Sequence, residues 1–61
     1  MYFEVVTKRS GSTTHYHARI RGGNNETIFS SQIYYAKQSA IHACEVVKAN
    51  ARGAAIREVI E

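Results

Sequence analysis

Sixty-one residues with one cysteine, no tryptophan and no proline make one domain at most, residues 1–61, and exclude an internal disulfide and a cysteine-based zinc site. Eight Lys and Arg against five acidic residues leave a formal charge of +3, compatible with a polyanionic partner and too small to require one. No apolar run approaches the ~20 residues that span a bilayer, and the opening MYFEVV has no charged leader or long apolar stretch of a signal peptide. A soluble cytoplasmic protein without membrane contact is therefore expected.

Size sets a further demand. A chain this short buries only about 60% of the surface it exposes when unfolded. Ordering it costs ~90 kcal/mol at ~1.5 kcal/mol per residue, which a single small core barely offsets. With disulfides and zinc excluded, association with a second copy is the expected source of extra burial.

In chain order, YFEVVTK at residues 2–8 is β-branched and aromatic, with Phe3 and Val5 on one side and Glu4 on the other, and predicts a strand. KRSGSTT follows, small and polar, and predicts a mobile loop longer than a two-residue turn. HYHARIR, residues 15–21, alternates strictly and predicts the second strand, with His15, His17, Arg19 and Arg21 on one face and Tyr16, Ala18 and Ile20 on the other. GGNN then tolerates positive φ, and Asn24-Asn25 predicts a tight turn into a third strand, ETIFSS.

The period then changes. Ala40, Ala43, Cys44, Val47 and Ala51 recur at spacings of three and four and predict a helix over residues 36–50, with Asn50 and Gly53 as stop signals. AAIREVIE, residues 54–61, predicts a last strand with Ile56 and Ile60 on one side and Val59 on the other. A strand apolar on both sides needs cover on both sides, which another subunit would supply. The expected class is α+β, a β-β-β-α-β unit whose antiparallel sheet carries one helix.

Several stretches in this order resemble the YegP-like proteins, small chains of unknown function. These are YFEVV; the alternating Tyr16 to Arg21; Asn24-Asn25-Glu26-Thr27-Ile28; Tyr34 to Lys37; and Val47-Lys48-Ala49-Asn50-Ala51. The resemblance covers almost the whole chain. It implies single or tandem β-β-β-α-β units joined in one sheet with exchange of their C-terminal strands, hence a homodimer for a chain holding one unit. It implies no activity. Where the family has a Ser or Thr before the helix this chain has Tyr35-Ala36, so a side-chain N-cap worth ~1 kcal/mol is missing.

Candidate binding residues are His15, His17, Arg19 and Arg21 on one strand face, extended by Lys8 and Arg9 in the neighbouring loop. Such a surface suits phosphates, while a Glu4 pairing across the sheet would make it ordinary dressing. His-x-His offers two metal ligands, but a closed site needs about two more, and His42 belongs to the helix side, so no metal is expected. Tyr34 and Tyr35 could frame a pocket, though a tyrosine there more simply anchors the helix. Cys44 lies in the apolar stripe as a small core residue. Paired carboxylates, a phosphate-binding glycine motif and a catalytic triad are all lacking, so neither an enzyme nor a cofactor is expected. The expected function is a homodimeric interaction module with an unidentified protein partner, as in a bacterial or phage accessory protein. The alternative is a weak nucleic-acid binder without sequence preference, using the basic strand face.

Overall fold

The computed structural model describes residues 1–61 and contains β1 (Tyr2–Ser10), β2 (Thr13–Arg21), β3 (Thr27–Ser30) and α1 (Lys37–Asn50). The sheet is antiparallel with β2 in the centre. In β1 and β2 the β-branched and aromatic residues favour the pleated conformation, and the alternation sorts them onto two faces. Phe3 lies opposite Ile20 and Val5 opposite Ala18, on the face that α1 covers; Glu4 opposes Arg19, Val6 opposes His17, and Lys8 opposes His15 on the outer face.

The first connection differs from its expectation. KRSGSTT is not a long loop: both strands run to its centre, Ser10 pairs with Thr13, and only Gly11 and Ser12 turn. Gly11 has φ +62°, the glycine-first geometry whose twist matches a two-residue hairpin. Lys8 and Arg9 are therefore strand residues, and alternation separates them. Arg9 opposes Thr14 on the helix side of the sheet, away from the histidine and arginine row.

The second connection turns at Asn25, the one non-glycine residue with positive φ, +58°. The Gly22 N–H donates to the Glu26 carbonyl at 2.7 Å. β3 is only four residues long and meets β2 through an irregularity at Ile20/Arg21. Beyond it the chain stays against β2. The Ser31 amide donates to the Ala18 carbonyl, the Ser31 hydroxyl accepts from the Ala18 amide at 2.8 Å, and Tyr34 and Tyr16 exchange two backbone hydrogen bonds of 2.7 Å. Residues 31–34 thus occupy the side of β2 that a longer third strand would have filled.

α1 has Ala36 at its N-cap position, which makes no side-chain cap, and no acidic residue lies in its first turn. It ends with the Asn50 side-chain amide donating to the Val46 carbonyl at 2.9 Å and with Gly53 at φ +83°, a stop of the left-handed kind. The helix lies over β1 and β2 and not over β3. Its contact is made through alanine. Ala40, fully buried, and Ala18, 8% exposed, are the only two buried residues of 61, because small side chains let helix and sheet approach while covering little area.

The last expected strand has no partner within the chain: residues 54–61 carry no ladder hydrogen bonds and are exposed throughout, Ile56 at 96% and Ile60 at 100%. They extend the molecule to 40 × 30 × 21 Å with a radius of gyration of 13.4 Å, where a compact chain of this length has ~10.5 Å. The accessible surface, 5300 Å², exceeds by about 1300 Å² the ~4000 Å² of a folded monomer of this mass.

Candidate functional site

Two surfaces stand out. The first is the outer edge of β1. Nine residues of backbone here face no neighbouring strand, since β1 pairs with β2 alone. Unpaired strand edges are templates for further pairing, normally blunted by proline, charge or a covering element. Little here does so along its first half. Behind this edge α1 leaves a groove lined by Met1, Phe3, Val5, Ile41 and Cys44, with Glu45 and Lys48 at its rim. A second apolar groove of about 150 Å³ lies on the other flank of the helix, between Val47 and Ala43 above and Ala18, Ile20 and Phe29 below. Phe29 opposes Ile20 in register, yet it is 68% exposed, because the helix stops short of β3.

The second surface is the outer face of the sheet. The structure brings His15, His17, Arg19, Arg21 and Lys8 together there and leaves Arg9 on the opposite side. Glu4 sits among them, its Oε1 accepting from Arg19 Nε at 2.6 Å and lying 3.8 Å from Arg21 Nε. The longer distance is an ion-pair separation and too long for a hydrogen bond, and Arg21 Nε is buried without an acceptor. Arg21 is held instead through Nη1, which donates to Thr27 Oγ1 at 3.1 Å. One carboxylate thus serves two guanidiniums. Tyr2, opposite Arg21 on this face, donates its hydroxyl to Asn25 Oδ1 at 3.0 Å and ties the first strand to the β2–β3 turn.

The third histidine, His42, lies with Tyr34, Gln38 and Ser39 on the helix side, and nowhere do three His, Cys, Asp or Glu side chains come together. Cys44 is partly buried and free. Sequence reasoning missed the apolar grooves. The signal for them was the small-residue stripe of α1, which predicts close approach and therefore incomplete cover of the large residues Phe3 and Phe29.

Structurally the chain is a one-helix α+β unit whose sheet has an open edge and a cationic outer face. Residues 12–58 match the family described as a domain of unknown function, DUF1508. The chain is 46% identical to UPF0339 protein Atu0232 of Agrobacterium fabrum and 40% identical to UPF0339 protein Atu5359 of the same organism. Each alignment spans 52 residues, 85% of this chain and 79% of the relative. The protein belongs to the DUF1508 family, the YegP-like family that its motifs resemble. No solved structure matches it.

Proposed function

We propose that the protein is a homodimeric interaction module in which each copy lends its C-terminal segment to the sheet of the other. The observation that carries this reading is the surface surplus: about 1300 Å² beyond that of a compact monomer, with two buried residues in the whole chain. Stable interfaces bury roughly 800 Å² per partner, so the surplus is of the size that pairing removes. Length assigns the receiving edge. Eight residues, 54–61, extend about 27 Å, against about 30 Å for nine-residue β1 and about 13 Å for four-residue β3. Seated along β1 with Ile56 and Ile60 toward the groove under α1, the segment turns Val59 toward the outer face.

Dimerisation then belongs to the function, because a two-fold assembly presents two copies of every remaining patch. The groove beside Phe29 stays outside the docked strand and suits an apolar segment of a larger protein. In this reading the chain acts by occupying a surface, as an accessory protein does, and catalyses nothing. Light scattering at micromolar concentration tests the assembly. Twice the chain mass is expected, and a folded monomer refutes strand exchange. A pull-down from the native cell, repeated with Phe29→Ser, tests the groove: a protein retained by the parent and lost by the variant supports it, and equal retention refutes it.

A further inference from the structure

We propose that the outer face of the sheet binds the phosphodiester backbone of nucleic acid without reading its sequence. His15, His17, Arg19 and Arg21 leave β2 on one face, spaced about 6.8 Å apart along a line of about 20 Å. Lys8 stands beside His15 on the adjacent strand. Four of the five acidic residues lie outside this row. Glu4 is the one carboxylate among the strand residues of that face; Glu45 is on α1, Glu26 in a turn, and Glu58 and Glu61 follow the helix.

The two guanidiniums are held in place. Arg19 is fixed by Glu4 and Arg21 by Thr27, with side chains 30% and 18% exposed. A planar group already oriented loses less freedom when it takes up a phosphate. Two guanidiniums against one carboxylate leave a positive surplus at their centre, and Arg21 Nε has no acceptor of its own. The absence of base reading follows from the same face. The rings on this face are Tyr2, tied by its hydroxyl to Asn25, and the imidazoles of His15 and His17. Stacking of bases on such rings tolerates any sequence, because every base has a π-face. Contacts to phosphates position a nucleic acid and carry no sequence information. This inference does not rest on the dimer, since the docked segment would cover an edge and leave the outer face open, adding only Arg57 and Glu61 at its margin on the side that Val59 takes.

The test is a salt titration of the full chain against fluorescent single strands and duplexes of about 20 nucleotides in two unrelated sequences, from about 20 to 200 mM salt. Three permanent cations, Lys8, Arg19 and Arg21, set the expected slope of log K on log salt near −2 per protomer for single strands and near −3 for duplex. Lys8→Gln should reduce the single-strand slope by about 0.7. Glu4→Gln should act in the other direction and tighten binding several-fold. If that variant fails to fold, Val6→Lys, which adds a cation opposite His17, should steepen the slope by about 0.7. Absence of binding at the lowest salt overturns the proposal. So does binding that is unchanged in Lys8→Gln, or that discriminates the two sequences by more than about tenfold.

Discussion

Ile60 separates the two ways the chain can exist. Within a single copy it is fully exposed, and truncating an exposed side chain changes stability by no more than about 0.5 kcal/mol. Docked under the helix of a second copy it becomes a core residue, where replacing isoleucine by alanine costs about 2–5 kcal/mol. The groove behind β1 is shallow, so the lower end of that range applies. A symmetric dimer contains the substitution twice, which brings the loss to about 4 kcal/mol and raises the dimer dissociation constant about 10³-fold. Ile60→Ala is therefore expected to shift the mass measured by light scattering or sedimentation from dimer toward monomer across the micromolar range. Its urea midpoint should fall and depend on protein concentration, because the fold and the assembly are coupled. An Ile60→Ala protein with the parent's mass and a concentration-independent midpoint would refute the docking of this segment.

Three further outcomes follow from local geometry. Ala36→Asp supplies the missing N-cap of α1 and puts a carboxylate at its positive end; a gain of about 1 kcal/mol is expected in urea denaturation. Gly11→Ala should cost about 1–2 kcal/mol, because φ +62° is strained for a residue with a Cβ even though no atom lies within 4 Å. Gly23→Ala, equally uncrowded and without positive φ, should stay within about 0.5 kcal/mol, and equal losses at both sites would refute the turn assignment. Ala40→Leu places a larger side chain at the one fully buried position and should destabilise by about 1–3 kcal/mol, with loss of helical signal on mild heating.

Much of this is visible in short stretches of sequence because the cause is local. HYHARIR alternates, and its two faces emerge as read: Tyr16, Ala18 and Ile20 on the helix side, His15, His17, Arg19 and Arg21 outside. The stripe from Ala40 to Val47 marks α1, which starts one residue later than its expected start and ends at Asn50 as expected. Glu4 meets Arg19 as the cross-strand reading requires. The error at KRSGSTT is instructive. Its serines and glycine resemble a loop, but Thr13 and Thr14 are β-branched and continue the strand, and Gly11-Ser12 alone satisfies the turn. Placing Arg9 beside Lys8 followed from that misreading, since in a strand consecutive residues face opposite sides.

What the sequence determined by itself is three strands, one helix and the two faces of HYHARIR, because periodicity and turn chemistry act over a few residues. It also determined that AAIREVIE is apolar on two sides. Which surfaces stay uncovered was decided only in three dimensions. The alanines at the helix–sheet contact bring α1 close over β1 and β2, and so leave Phe29 and the β1 edge bare. That one carboxylate lies against both guanidiniums depends likewise on strand register, a relation between residues 15 apart in the chain: alternation puts Glu4 on their face, and only the register sets it opposite Arg19.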